Sequence, residues 1–256
     1  MDRPSFIGLM GIQRPEERGE LSRLAPLFEE RPHRLLLGAY ADWLTLHGMT
    51  GRAFLPSKDA LAAICEPDDN ADIAVHFTPA WERSLAEQLC DLMSVCPGVS
   101  VLILHAVWPK RDTLAHFRHQ WPNTRLVLWV SEECYIDLSE SSTRVARRVA
   151  GYAQIGVVDS VMFDLASGSG APIDNARAVM TLRMLRQAGI DIPCGLAGGL
   201  SAERFDAGFT RVVRDFDPLS LVASRHIRRN DRIDADLARQ FVERALHAAA
   251  RDPLQP

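Results

Sequence analysis

An aspartate closes one of the most apolar runs of this chain. Val158 to Asp164 carries β-branched and aromatic residues up to the Asp164 carboxylate. The chain then opens into the small residues Leu165-Ala166-Ser167-Gly168-Ser169-Gly170-Ala171. A carboxylate at such a position can give or take a proton. Small residues let the backbone approach an anion and aim its N–H groups at it. The design recurs at Ile192-Pro193-Cys194-Gly195-Leu196-Ala197-Gly198-Gly199-Leu200, and two such loops could grip one phosphate. Each cluster taken singly also reads as a tight turn from strand to helix.

Elements of definite type must carry these loops. Short apolar runs occur at Phe6 to Ile12, Arg34 to Ala41, Ile73 to Phe77, Val99 to Val107, Arg125 to Val130, Val158 to Asp164, Pro193 to Ala197 and Leu219 to Ala223. Amphipathic stretches separate them. Trp81, Leu85 and Leu89 recur at helical spacing, as do Leu237, Phe241 and Ala245 behind a capping Asp234, while Val145, Val149 and Tyr152 mark another helical face. Runs that are apolar throughout predict strands covered on both sides, as in a parallel sheet. Eight strand–helix units favour closure into one (β/α)8 barrel spanning residues 1–256, with its chemistry at the C-terminal ends of the strands.

The 256 residues, 47% hydrophobic, suffice for one large core, and a net charge of -4 with interspersed signs suggests neither a nucleic-acid groove nor a membrane surface. Lys58 and Lys110 are the only lysines, which leaves little room for Schiff-base chemistry. The five cysteines are odd in number and lack paired spacing, which suits a reducing cytoplasm better than a disulfide framework or a zinc site. No segment reaches the roughly 18 uninterrupted apolar residues of a membrane span. No carboxylate–histidine spacing suggests a metal, and no GxGxxG or Walker loop suggests a nucleotide, so no cofactor is expected.

In this order and on these strands, Phe163-Asp164 with the Ser167 to Gly170 loop, Leu196-Ala197-Gly198-Gly199-Leu200 and Leu104-His105 form a specific pattern. With Gly51-Arg52-Ala53-Phe54-Leu55-Pro56 after the second run, the chain resembles the phosphoribosylanthranilate isomerases of tryptophan biosynthesis over most of its length. The resemblance implies an Amadori rearrangement, in which an aminoaldose phosphate opens its ring and becomes a 1-amino-1-deoxyketose. A general acid is needed at the ring oxygen and a base at the C2 proton. Asp164 stands where the family has its acid. Gly168, Ser169, Gly170, Gly198, Gly199 and Ser224 would hold the phosphate, and Arg52, His105 and Gln13 would contact the rest of the substrate.

The chain departs from that pattern twice. Where the family's first strand reads Ile-Cys-Gly-Ile-Thr, with the cysteine as base, this sequence has Leu9-Met10-Gly11-Ile12-Gln13, and a thioether takes no proton. Cys134, beside Glu132 and Glu133 after the fifth run, is one candidate substitute, and Met10→Cys is expected to raise the family activity. Where the family has Ser-Ser-Gly, this chain has Ala223-Ser224-Arg225-His226. Arg225 can pair with a phosphate or carboxylate through its planar fork, or stand as a solvated rim residue. His76 reads as a core histidine. The expected ligand is thus a small phosphorylated or otherwise anionic molecule, with a homodimer left open. The competing reading is a catalytically silent barrel that binds a phosphorylated metabolite or a partner enzyme.

Overall fold

In a computed structural model that describes residues 5–49, 54–164 and 175–250, eight parallel strands close into a barrel in sequence order. They are β1 Ser5–Met10, β2 His33–Asp42, β3 Asp72–Thr78, β4 Val101–Leu104, β5 Arg125–Val130, β6 Ser160–Asp164, β7 Cys194–Ala197 and β8 Leu219–Ala223. Helices lie between successive strands, and β1 pairs with β8 to close the ring, Gly8 opposite Val222. A short antiparallel hairpin, Arg228–Arg229 with Arg232–Ile233, follows β8.

Alternation of side chains along each strand divides the apolar residues between two cores. Phe6, Met10, Leu36, Ile103, Val127 and Met162 face the barrel interior. Their neighbours Ile7, Leu9, Leu35, Leu102, Leu128 and Val161 face outward against the helices. Because both faces are buried, the strands read as unbroken apolar runs. Glycines make room for the two interior methionines. A Cβ on Gly38 would overlap the Met10 thioether, and one on Gly195 would overlap that of Met162.

Polar groups at the base of the barrel tie strands together. Asp159 accepts from Leu126 N–H at 2.7 Å and from Arg118 at 2.8 Å. Asp72 pairs with Arg34 and Arg125. Helix starts are capped by side chains: Asp206 accepts from Phe209 N–H at 2.7 Å, and Asp234 from Leu237 N–H at 3.0 Å.

Two local expectations need correction. Trp81 is 90% exposed and precedes the helix Leu85–Val95. Its spacing to Leu85 and Leu89 is therefore not a packed face; Ser84, whose hydroxyl accepts from Glu87 N–H, starts the helix after it. β4 is shorter than the run Val99 to Val107, because the apolar composition continues into a loop where Val107 is exposed.

Candidate functional site

A cavity of about 360 Å³ opens at the C-terminal ends of the strands, and almost every sector of the barrel contributes to its wall. β2 supplies Tyr40 and Asp42, β5 Trp129, β6 Asp164, and the segment after β7 Gly198 and Gly199; Ser224, Arg225 and Arg228 follow β8. Strand register sets this arrangement. Asp164 lies opposite Ala197, one residue short of the two glycines. Those glycines have φ of 88° and 65°, a left-handed conformation that side-chain-bearing residues rarely adopt, so the turn leaves its backbone unshielded beside the cavity. Asp42 does structural work here: its side chain accepts from the Thr45 N–H at 2.8 Å and caps the turn Trp43–Leu46.

Around Asp164 stand groups whose protonation it influences. Tyr40 is hydrogen-bonded to Ser224; burial, reinforced by the Asp164 carboxylate, pushes its phenol upward and keeps it protonated, against opposing pulls from Arg228 and Arg225. His105, at the end of β4, has its imidazole pulled down by burial, while the negative charges of Glu133 and Asp164 act in the opposite sense. Glu133 is held below the usual carboxylate range chiefly by a hydrogen bond from the Ser131 hydroxyl. His105 is therefore a half-buried imidazole that is neutral near pH 7 and has carboxylates near enough to favour its cation once a proton arrives.

Behind these residues lies a cluster of rings. The His76 centroid is 4.5 Å from that of Trp129, 5.0 Å from Tyr40 and 5.3 Å from His105. His76 is buried, as a core histidine would be, but among the described residues neither its Nδ1 nor the Trp129 indole N–H has a partner. Burial drives the His76 imidazole well below its ordinary range.

The remaining sequence candidates distribute unevenly. Asp164, Gly198, Gly199, Ser224 and Arg225 come together on the cavity. Met10 occupies the position expected, yet it is fully buried in the interior cluster, with Tyr40 packed against that cluster. Cys134 does not supply a rim thiolate. Its side chain belongs to the outer core against the helices, and burial raises its thiol. Gln13 donates its backbone N–H to Glu17 at 2.8 Å, while its buried side-chain amide nitrogen has no partner among the described residues. It does not line the cavity. Arg52, Gly168, Ser169 and Gly170 lie outside the described residues. Tyr40, Trp129 and Arg228 are cavity residues that sequence reading did not single out.

Among the described residues, no group of three His, Cys, Asp or Glu could hold a metal ion, and no helix is long and apolar enough to cross a membrane. No protein-family model matches the sequence, and no curated protein matches it. Solved structures do. Phosphoribosylanthranilate isomerase from Thermotoga maritima superposes with a TM-score of 0.62 at 15% identity, over 95% of this chain and 98% of that one. The catalytic domain of a chitinase from Pyrococcus furiosus gives 0.59 at 10% identity over 96% of both chains. The carboxyl transferase domain of Rhizobium etli pyruvate carboxylase gives 0.54 at 11%, and this chain covers 48% of it. All three are barrel enzymes. At these identities the likeness is one of fold, and function has to be argued from the site.

Proposed function

We propose that the chain is an acid/base isomerase acting on a phosphorylated aminosugar or a related anionic substrate. One observation carries this reading. The Asp164 carboxylate and the anion-binding groups of Gly198, Gly199, Ser224 and Arg225 open on the same cavity. A substrate anchored by its phosphate at the glycines would lay its sugar ring across the mouth toward β6. There Asp164, in its protonated form, would give its proton to the ring oxygen and become the carboxylate as the C1–O bond breaks and the amine lone pair forms C1=N. Removal of the C2 proton then forms C1=C2 and returns the C=N pair to nitrogen, and protonation of C1 with loss of the C2 hydroxyl proton gives the 1-amino-1-deoxyketose. Met10 cannot take that proton. Cys134 is turned into the outer core, so the base we assign is His105; it stands just behind the cavity wall, its ring 6.2 Å from that of the lining residue Trp129, and its neutral imidazole can accept the proton.

The test is incubation of the purified chain with phosphoribosylanthranilate and with other N-substituted ribosylamine 5-phosphates, following product formation beside Asp164→Asn and His105→Gln. Turnover lost in both variants supports the assignment. A folded protein that binds these compounds and converts none of them favours the silent barrel. The buried Met10 at the family's base position speaks for that second reading.

A further inference from the structure

Arg228 stands on the cavity wall with no carboxylate partner among the described residues. Its terminal nitrogens donate to two backbone carbonyls, Gly11 O and Asp231 O, each at 2.6 Å. It forms no ion pair with a described residue, and its buried Nε finds no acceptor. Two elements hold the guanidinium in place. The Asn230-Asp231 turn of the hairpin, with φ of 50° and 61°, presents the Asp231 carbonyl, and the Phe54 ring lies 5.2 Å from the guanidinium carbon. Gly11 is needed there, because a Cβ at that position would come within 2.7 Å of the Arg228 nitrogen.

A guanidinium carries five N–H donors, and two neutral carbonyls neither exhaust them nor balance the charge. Burial accordingly weighs on its charged form, opposed by the carboxylates of Glu17 and Asp231, neither of which pairs with it. Glu17 is engaged elsewhere, accepting from Gln13 N–H. A partly desolvated cation on a cavity wall favours an anion there. Its sector is set by Gly11 after β1 and Phe54 after β2, whereas Gly198 and Gly199 follow β7.

We infer that Arg228 is the counter-charge for an anionic oxygen group of the ligand, a carboxylate or a phosphate, bound over the β8–β1–β2 sector. The inference rests on the reading that the mouth takes an anionic ligand, and it requires no turnover.

Calorimetric titration of the full chain with inorganic phosphate and, separately, with benzoate distinguishes the two chemistries. At least one anion should bind. Arg228→Gln should weaken it by about tenfold or more, the scale of a charge-assisted contact, and Arg228→Lys by less. Glu17→Gln, which removes an opposing negative charge and leaves the arginine intact, should tighten it. Asp164→Asn should retain binding even where turnover is lost, which separates failure of the catalytic reading from failure of this site. The inference is overturned if neither anion binds the wild type, or if a folded Arg228→Gln binds as well as the wild type. Should that variant not fold, an unchanged affinity in Glu17→Gln overturns it.

Discussion

Asp159 and Asp164 border the same strand in opposite surroundings. Asp159 is buried and receives a charge-assisted and a backbone hydrogen bond, so Asp159→Ala should cost about 3 kcal/mol or more by removing the acceptor of both Arg118 and the Leu126 N–H. Asp164 faces the cavity, and Asp164→Asn preserves volume and most hydrogen bonding. The expected outcome is a melting temperature close to wild type with turnover lower by about two to four orders of magnitude. A large loss of stability at unchanged turnover per folded molecule would place Asp164 with Asp159. At Met10 the structure changes the expectation drawn from sequence. A thiol there would sit among Phe6, Leu36 and Val222 in surroundings that disfavour a thiolate, as burial does for Cys194, whose thiol is pushed up to about 12. Met10→Cys should therefore lower stability by about 1–3 kcal/mol and restore no isomerisation. Denaturant titration and an activity assay on one preparation check both parts.

At the scale of elements, the strands were legible because burial on two faces makes them uniformly apolar. Arg125–Val130 and Leu219–Ala223 are found with the bounds read from sequence. The faces of the helices Ser142–Gln154 and Ala235–Ala249 follow from spacing too, with Val145, Val149, Tyr152, Phe241 and Ala245 buried. Asp164, Gly198 and Gly199 stood out because a carboxylate or a glycine pair interrupts such a run. Tyr40 did not. Inside an apolar strand, a residue facing the mouth and one facing a helix look alike, and only register separates them. Arg228 was hidden for another reason, since a guanidinium in a loop carries no mark of burial. The interior packing yields its own prediction. Gly38→Ala should destabilise by about 1–3 kcal/mol because its Cβ meets the Met10 thioether, and Met10→Ala alone should open a void. In the double variant the two changes should offset one another, a coupling that a double-mutant cycle by urea unfolding measures. Strict additivity would mean that the two residues do not share the space.

For the molecule as a whole, two buried histidines couple stability to acidity. His33 has one nitrogen at 3.1 Å from the Leu219 carbonyl oxygen, while Nδ1 of His33 and Nδ1 of His76 have no partner among the described residues. Both imidazoles are lowered, mainly by burial. Unfolding returns them to an ordinary value of about 6.5. Below that pH the unfolded chain binds more protons than the folded one, so stability rises with pH in this window. The contribution is fully present above about pH 6.5. It is lost on acidification toward the lower folded values, by at most about 1.4 kcal/mol per pH unit for each histidine. Urea midpoints at about pH 5 should fall below those at about pH 7.5, and His76→Phe should flatten that dependence. An equal slope in the variant would remove His76 from the account.

Barrel closure sets a condition on when the fold can exist. Phe6 N–H donates to the Ser220 hydroxyl, and the Ser5 hydroxyl donates to the Pro218 carbonyl, across 214 and 213 residues. During synthesis β1 must therefore wait for β8, more than 200 residues later, to emerge before its second edge is covered. Until then Ile7 to Leu9 on one side and β7 on the other are open, apolar strand edges. Nascent chains halted before Leu219 should accordingly be held by chaperones or aggregate, whereas those released after the final helix, which packs on β1 and β8, should close without assistance.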